Sequence, residues 1–211
     1  MQGRCWIVGA GDWCARGWAP RAGDIVVAAD GGQAPLVRLN LLPDVVVGDF
    51  DSLRDAPHGG EVVRLPAEKD DTDMVAALRI GLERGYREFR IYGAAGGRID
   101  HTIANLQSLN FLARQGARGV LVEERYMLTS LLNGEMRFRA GSRGMLSVFA
   151  QGGEARGVYL EGLKYEQHGF TLRDDYPMGV SNEFTGVPAR VAVRDGLLLV
   201  AWTHTALAEG I

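Results

Sequence analysis

Short apolar runs recur along the first 125 residues, with room for a helix between several of them. Each run is three or four residues long and rich in β-branched or aromatic side chains, which is typical of strands buried on both faces. Alternation of such strands with helices predicts a mainly parallel sheet covered by helices. The runs occupy residues 5–8, 25–28, 45–47, 62–65, 89–92 and 120–122.

Two helices are predicted between these runs. Residues 72–84 carry an apolar stripe behind a candidate cap at Asp70 or Asp71. Residues 100–115 carry a second stripe, and Gly116 follows as the expected stop. The stripes consist of Met74, Ala77, Leu78 and Leu82 in the first helix and of Ile103, Leu106, Leu109, Leu112 and Ala113 in the second.

The remainder of the chain has a different pattern, because its short runs are separated by glycine-containing turns and no helix of normal length is evident. The runs occupy residues 127–132, 136–140, 145–149, 158–165, 189–193 and 197–202. This pattern predicts a small antiparallel β-sandwich, with a hairpin at the Arg194-Asp195-Gly196-Leu197 turn. We therefore predict an α/β domain with a mainly parallel sheet at residues 1–125 and an all-β sandwich domain at residues 126–211.

The charge pattern favours a small-molecule partner. Formal net charge is −3 and the positive residues are scattered, which gives little support to a nucleic-acid or anionic-membrane surface. No stretch approaches the roughly 18 uninterrupted apolar residues of a membrane span. Cys5 and Cys14 do not form a disulfide framework or a thiolate metal motif, so a reducing cytoplasm is expected.

Aspartate is concentrated near the ends of the apolar runs. Seven of the fourteen aspartates lie in residues 29–32, 48–52, 69–73 and 96–101. In open α/β sheets the carboxyl ends of the strands form the ligand crevice, so these side chains are expected to converge. Converging carboxylates repel one another unless a divalent cation such as Mg²⁺ lies among them. The clusters therefore predict a metal site.

Each cluster also has an ordinary structural interpretation. Asp49 and Asp51 point to one side of an extended segment while Phe50 faces the core, yet the same residues are common in surface turns. The acidic residues at 70–73 suit a helix N-terminus. Asp100 is a candidate N-cap, and Arg98 a solvated turn residue. Only the combination of four such strand ends with Lys69 and Arg98 favours a metal–polyphosphate site.

The order of these motifs resembles the thiamine pyrophosphokinase family. The motifs are Ala-Asp-Gly-Gly at 29–32, Gly-Asp-Phe-Asp-Ser at 48–52, Lys-Asp-x-Thr-Asp at 69–73 and Gly-Gly-Arg-x-Asp-His at 96–101. Residues 162–165 and 179–184 resemble signatures of that family's second domain. The resemblance implies transfer of pyrophosphate from ATP to the hydroxyl of thiamine, with release of AMP. It also implies a homodimer whose thiamine site is shared between subunits.

The resemblance assigns roles motif by motif. It places Asp49, Asp51 and Asp73 on Mg²⁺, with Asp70 and Asp71 as neighbours that join through water. Around ATP it places Asp30, Gly31, Gly32, Lys69, Thr72 and Arg98. Asp100, Ser181 and Asn182 would orient thiamine, and Phe184 would stack on one of its rings. From the residues alone, Phe184 is equally a core aromatic and Ser181-Asn182 equally a turn.

Transfer of this kind depends mainly on positioning and electrostatics. Arg98 is expected to neutralise charge that develops on the transferred group. If a proton acceptor is needed, Asp71 or Asp100 is the first candidate, whereas His101 at a helix start more simply caps or packs.

Two other functions fit parts of the pattern. A Mg²⁺-dependent phosphohydrolase of the haloacid-dehalogenase type also places Asp-x-Asp after a parallel strand, and would use Asp49 as nucleophile. A non-catalytic nucleotide-sensing module would use the same metal cluster without turnover. The products formed from ATP, Mg²⁺ and thiamine distinguish these functions from the kinase.

Overall fold

The chain divides into two compact units, Met1–Glu124 and Arg125–Ile211. The computed structural model describes residues 3–50, 59–66, 68 and 70–210. No helix in these ranges combines the length and the apolar character needed to cross a membrane.

The first unit is built on a parallel sheet. Its strands are β1 (Cys5–Val8), β2 (Ile25–Ala29), β3 (Val45–Gly48), β4 (Glu61–Arg64), β5 (Glu88–Tyr92) and β6 (Arg118–Val122). They lie in the order β6-β5-β1-β2-β3-β4, and every neighbouring pair is parallel. From β1 the chain proceeds outward through β2, β3 and β4, then returns to the other side of β1 for β5 and β6. The connections therefore diverge between β1 and β5.

Among the described residues, three helices accompany this sheet. They are α1 (Gln33–Arg38), α2 (Asp73–Glu83) and α3 (Ile99–Arg114), and a short 3₁₀ turn, Asp30–Gly32, precedes α1. The N-cap of α2 is Thr72, whose Oγ1 accepts a hydrogen bond of 3.2 Å from Val75 N. Neither Asp70 nor Asp71 is that cap. Helix α1 was not predicted, because its six residues are too few to produce a recognisable apolar stripe.

In the central strands, successive side chains point to opposite faces of the sheet, and both faces are covered by packed side chains. A Cβ built on Gly81 of α2 would lie 2.6 Å from the Phe89 ring and 2.8 Å from Cys5 Sγ, so α2 lies directly on this face. Trp6 and Tyr92 occupy alternate positions and point to the opposite face. Their rings stack at 6.0 Å, and Trp13 and Trp18 pack around them. The tryptophans of the N-terminal segment thus form part of the core.

Two expectations about burial were wrong in this unit. The fourth apolar run was expected to be buried on both faces, but β4 is largely exposed and Val62 is 41% exposed. The reason is that β4 lies at the end of the strand order, where one side has no neighbouring strand among the described residues. On α3, Ile103 is exposed, whereas Asn105 and Ser108 are buried beside Leu109 and Leu112.

The second unit consists of antiparallel strands. They are β7 (Tyr126–Leu132), β8 (Glu135–Phe138), β9 (Met145–Ala150), β10 (Ala155–Glu161), β11 (Gln167–Leu172), β12 (Asn182–Glu183), β13 (Ala189–Asp195) and β14 (Leu197–Thr203). One set has the order β12-β9-β14-β7 and the other the order β11-β10-β13-β8. Phe138 of β8 and Trp202 of β14 are both fully buried, with ring centroids 5.9 Å apart, so the two sets share a core.

The hairpin predicted at residues 194–197 was wrong. A turn is present, but β13 pairs with β8 and β10 whereas β14 pairs with β7 and β9. The turn therefore carries the chain from one sheet to the other. Gly196 N donates to Asn133 Oδ1 at 2.8 Å, and Asn133 N donates back to Gly196 O at 3.1 Å. Asn133 lies in the β7–β8 connection, which also runs from one sheet to the other. The two turns are therefore stabilised by hydrogen bonds to each other.

Candidate active site

A cavity of about 420 Å³ opens at the carboxyl ends of β1, β2 and β5. Its position follows from the strand order, because the connections diverge between β1 and β5, and open α/β sheets bind ligands at such a point. The cavity is lined by the following residues of the first unit: Gly9, Ala10, Gly11, Asp12, Ala29, Asp30, Thr72, Asp73, Met74, Gly93, Ala94, Gly96, Gly97, Arg98, His101 and Asn105.

Two glycine-rich loops form one wall of the cavity. The β1 loop (residues 9–12) and the β5–α3 loop (residues 93–98) extend beyond the sheet and are joined by backbone hydrogen bonds. Gly11 N donates to Gly93 O at 2.8 Å and Asp12 N donates to Ala95 O at 2.9 Å. A Cβ on Gly11 would lie 2.3 Å from Ala95 O. Only glycine permits this approach, so backbone rather than side chains faces much of the cavity.

Asp30 is held in a strained conformation at the cavity wall. Its φ of 47° lies in the left-handed region, which non-glycine residues seldom adopt. Its Oδ1 is buried and has no hydrogen-bond partner within the described ranges. Strain and an unsatisfied carboxylate oxygen both cost stability, and such features are concentrated at functional sites. This oxygen is therefore available to a ligand.

Gly31 and Gly32, which were predicted around ATP, do not line the cavity. A Cβ on Gly32 would lie 1.9 Å from Val8 O, and one on Gly31 would lie 3.1 Å from Ala10 Cβ. Both glycines therefore allow the 3₁₀ turn to pack against the end of β1. They support Asp30 through the backbone instead of contacting the cavity themselves.

The start of α2 supplies Thr72 and Asp73 to the cavity. Because the helix begins at Asp73, its first backbone N–H groups and its partial positive charge lie near the cavity, which favours an anion there. Asp71 does not line the cavity, and its Oδ2 forms an ion pair with Arg79 at 2.9 Å. Asp73, which was predicted to bind Mg²⁺, and Thr72, which was predicted to bind ATP, are thus adjacent at the cavity. Asp71, the predicted proton acceptor, does not line it.

The start of α3 supplies Arg98 and His101, whereas Asp100 does not line the cavity. Arg98 Nη2 donates to Asp100 Oδ2 at 2.5 Å and Arg98 Nε donates to Asp100 Oδ1 at 3.2 Å. This hydrogen bonding lowers the pKa of Asp100 and raises the pKa of Arg98. Both side chains are exposed, so the pair orients Arg98 more than it stabilises the fold.

Asp49 follows β3, the neighbour of β2, and does not line the cavity. A Cβ on Gly48 would lie 3.2 Å from the Asp30 Cα, so the two strand ends are in close contact. Phe50 faces the core as expected, at 8% exposure. Its φ of 62° shows, however, that the segment turns at Phe50 and is not extended. Asp51 and Lys69 lie outside the described residues.

The donor set at the cavity fits Mg²⁺ as part of a complex with phosphate. Within residues 3–50, 59–66, 68 and 70–210, no three His, Cys, Asp or Glu side chains gather closely enough to hold a metal by themselves. Mg²⁺ does not need such a group, because it is usually held by one or two carboxylates together with phosphate oxygens and water. Asp73 and the buried Oδ1 of Asp30 are carboxylate oxygens of this kind.

In the second unit the predicted thiamine residues have structural contacts. Asn182 is buried, its Oδ1 accepts from Tyr165 N and Glu183 N, and its Nδ2 donates to Tyr165 O at 2.7 Å. Phe184 is 6% exposed and packs on Phe138 with ring centroids 4.8 Å apart. The prediction that Phe184 stacks on thiamine is therefore replaced by the core interpretation. Ser181 is exposed with a φ of 61° and is the one member of this set presented to solvent.

Several residues of the cavity were not predicted, among them Gly9, Gly11, Asp12 and Asn105. Asn105 is buried on α3 and its Nδ2 donates to Ala94 O at 2.7 Å, which anchors the β5–α3 loop. The Gly-Ala-Gly-Asp segment directly after the first apolar run was a usable signal, because glycine pairs after a parallel strand accompany phosphate-binding turns.

Comparison with known proteins agrees with this geometry. A family model described as "Thiamin pyrophosphokinase, catalytic domain" matches residues 20–121. The thiamine pyrophosphokinase of Bacillus subtilis (strain 168) is 24% identical over 181 residues, which cover 82% of this chain and 85% of the relative.

Solved structures extend the likeness to nearly the whole chain. The thiamine pyrophosphokinase structure from Bacillus subtilis matches with a TM-score of 0.85 at 23% identity and covers 95% of this chain and 98% of that one. A thiamin pyrophosphokinase family protein from Enterococcus faecalis matches with a TM-score of 0.80 at 27% identity, over 95% and 98% of the two chains. Over nearly its whole length this chain is therefore similar in sequence and fold to thiamine pyrophosphokinases.

Proposed function

We propose that this protein is a thiamine pyrophosphokinase, which transfers pyrophosphate from ATP to thiamine. The hydroxyl oxygen of thiamine forms a bond to the β-phosphorus of ATP, and the bond from that phosphorus to the oxygen shared with the α-phosphorus breaks. The products are thiamine diphosphate, AMP and the proton of the alcohol. The observation that carries the proposal is the cavity at the β1/β5 divergence, which Asp30, Thr72, Asp73 and Arg98 all line in a chain that matches the catalytic-domain model of thiamin pyrophosphokinase.

The cavity suits the polyphosphate of ATP. Backbone groups of the β1 loop and the β5–α3 loop, together with the start of α2, are the partners that phosphates use. Arg98 adds a positive side chain at the same wall, and its ion pair with Asp100 holds it there. We assign Arg98 to the charge that develops on the transferred group, Thr72 and Lys69 to the phosphates, and Asp30 to the nucleotide side of the site.

A magnesium ion is part of the proposal. Asp73 and Asp49, with Asp51, would hold it, and the buried Oδ1 of Asp30, which also lines the cavity, is a further candidate carboxylate oxygen. Bound Mg²⁺ would neutralise negative charge on the phosphate oxygens. Asp71 and Asp100 already pair with Arg79 and Arg98, so as proton acceptors they would first have to loosen those contacts. Either acceptor remains a prediction.

For thiamine we propose Ser181 and Asp100 as polar contacts, with Asn182 holding the segment next to Ser181 in place. We infer that the site is completed in a homodimer. Apolar side chains are exposed on both units: Ile99 and Ile103 at the start of α3, and Tyr165, Tyr176, Met178 and Val180 in the second unit. Exposed apolar groups in such numbers favour burial against another copy. Free, buried Cys5 and Cys14 support the cytoplasm as the compartment.

The test is the identity of the products formed from ATP, Mg²⁺ and thiamine. AMP that appears only when thiamine is present, in equal amount to thiamine diphosphate, is the expected result. Phosphate release without thiamine would indicate the phosphohydrolase, and unchanged ATP would indicate the sensor. The matches to thiamine pyrophosphokinases give no support to either alternative.

A further inference from the structure

Tyr92 is hydrogen-bonded to the chain on both sides of the β1 loop. It is the last residue of β5, so the β5–α3 loop begins directly after it. Its carbonyl oxygen accepts a hydrogen bond of 2.8 Å from Gly9 N, at the start of the β1 loop. Its hydroxyl donates to the carbonyl oxygen of Arg16 at 3.1 Å, beyond the end of that loop. A single, fully buried residue thus holds the chain before and after this wall of the cavity.

The ring of Tyr92 also packs on the segment that leads away from the β1 loop. Trp13 directly follows the loop, and the centroid of its ring lies 5.5 Å from that of Tyr92. The ring of Trp18 lies 5.1 Å from Tyr92 and 5.0 Å from Trp13. Ring contacts at these separations are favourable beyond the apolar area that they bury. Residues 13–18 are therefore packed onto Tyr92, together with the hydrogen bond to Arg16.

The two loops of the cavity wall depend on such contacts for their conformation. Five of their ten residues are glycine, whose backbone samples more conformations than that of any other residue. The loops are joined by the two backbone hydrogen bonds described above, so a displacement of the β1 loop also displaces the β5–α3 loop. Contacts with Tyr92 on both sides of the β1 loop therefore bear on the position of the whole wall.

We propose that Tyr92 is a positioning residue, whose hydroxyl holds the β1 loop, and with it the β5–α3 loop, in the conformation that receives the polyphosphate of the nucleotide. The inference rests on the proposed function, because it takes the cavity as the ATP site. Tyr92 does not line the cavity, so it acts through the backbone of the loops. A loop that already has its binding conformation loses less entropy when the ligand binds, and affinity for the ligand is higher.

The experiment compares wild type with Tyr92→Phe and with the matched control Tyr86→Phe. Phenylalanine keeps the ring and removes only the hydroxyl. The hydroxyl of Tyr86 also donates to a backbone carbonyl, that of Gly23, at 3.2 Å, and Tyr86 does not line the cavity. Tyr86 precedes β5, whereas Tyr92 ends it. The two variants therefore lose the same kind of hydrogen bond at opposite ends of one strand.

For Tyr92→Phe the KM for ATP should rise roughly threefold to tenfold, as expected for the loss of one hydrogen bond, while the KM for thiamine keeps its wild-type value. The dissociation constant of α,β-methylene-ATP with Mg²⁺, measured by titration calorimetry, should rise by the same factor. This analogue cannot transfer pyrophosphate, so it reports binding alone. Tyr86→Phe should match wild type in both measurements. A loss of stability alone would lower the folded fraction, and hence kcat, without raising the KM for ATP.

Amide hydrogen exchange tests the loops without any ligand. Peptides that cover residues 9–12 and 93–98 should exchange faster in Tyr92→Phe than in wild type, because loss of the hydroxyl lets the loops open more often. Tyr86→Phe should leave the exchange of both loops unchanged. This measurement does not depend on enzymatic activity.

Several results would overturn the proposal. Wild-type nucleotide affinity in Tyr92→Phe does so, and so does unchanged exchange in both loops. Equal losses of affinity in Tyr92→Phe and Tyr86→Phe would show a general loss of stability instead of positioning. A wild type that does not bind the analogue would also overturn it, because the cavity would not be the nucleotide site. If wild type binds the analogue but forms no AMP with thiamine, the proposed function fails, and the dissociation constants and exchange rates still decide the role of Tyr92.

Discussion

At the scale of single residues, the cavity concentrates features that cost stability. Asp30 combines a positive φ with a buried carboxylate oxygen that has no partner in the described part of the chain. A fold selected for stability alone has no reason to retain this arrangement, whereas the proposed site for a cation and a polyphosphate does.

Asp30→Asn is predicted to separate stability from activity. Asparagine tolerates the left-handed region and removes the buried charge, so the ligand-free protein should gain about 1 kcal/mol of unfolding free energy in a urea titration. Thiamine-dependent AMP formation should fall on the order of 100-fold, because the carboxylate is lost from the proposed site. An Asp30→Asn protein that keeps wild-type turnover would remove Asp30 from the site.

At the scale of secondary-structure elements, the contact between α2 and the sheet determines where Thr72 and Asp73 lie. This contact depends on Gly81, whose missing side chain lets the helix approach Phe89 and Cys5. Because α2 begins at Asp73, any displacement of the helix also displaces its N-terminus at the cavity.

Gly81→Ala is therefore predicted to destabilise the protein, although alanine is the better helix former. An added Cβ would lie 2.6 Å from Phe89 Cε1, and the overlap should cost about 1 to 3 kcal/mol, more than the gain of about 1 kcal/mol in helix propensity. Urea unfolding provides the measurement, with Gln107→Ala on the exposed face of α3 as the control. An increase in stability for Gly81→Ala would contradict the close packing described above.

At the scale of elements, the sequence was sufficient to predict most strands but not their pairing or their exposure. The apolar runs 5–8 and 89–92 became buried strands because a four-residue apolar run has few alternatives inside an α/β unit. The turn at 194–197 was recognisable from Asp-Gly, but which strands pair is decided by partners distant in sequence. Likewise, Val62 has a strand-like composition, and its exposure depends only on the place of β4 at the end of the sheet order.

For the site, the general rule that strand ends meet was enough to expect Asp30 and Asp73 near one another, and both line the cavity, whereas Asp49 and Asp100, which were expected with them, do not. Their individual roles remain predictions. Phe184 shows the limit, because an aromatic residue after a polar turn has the same sequence appearance whether it stacks on a ligand or on Phe138. Asn105 was not foreseeable, since its side chain acts through the backbone of the β5–α3 loop and a polar residue within a helix gives no sign of such a contact.

At the scale of the whole molecule, exposed apolar side chains support the proposal of a homodimer. In the second unit Tyr165, Met178 and Val180 line a small groove and are all about half exposed. Leaving such a cluster in water is unfavourable, and a second copy would cover it.

Val180→Glu is predicted to weaken the dimer, because a charge in the groove would have to be desolvated in the interface. Light scattering after size exclusion should show the wild type as a dimer and Val180→Glu shifted toward monomer, with AMP formation reduced in parallel. Val187→Glu places the same charge at an exposed valine outside the groove and should remain dimeric. A wild type that is monomeric and fully active would contradict the shared site.

The central claim is transfer of pyrophosphate as a unit to thiamine, and labelled ATP tests it most directly. With ATP carrying ³²P at the β-position, the label should appear in thiamine diphosphate while unlabelled AMP forms in equal amount, and no ADP should accumulate. Label that remains in ADP, or that is released as free phosphate without thiamine, would contradict the claim.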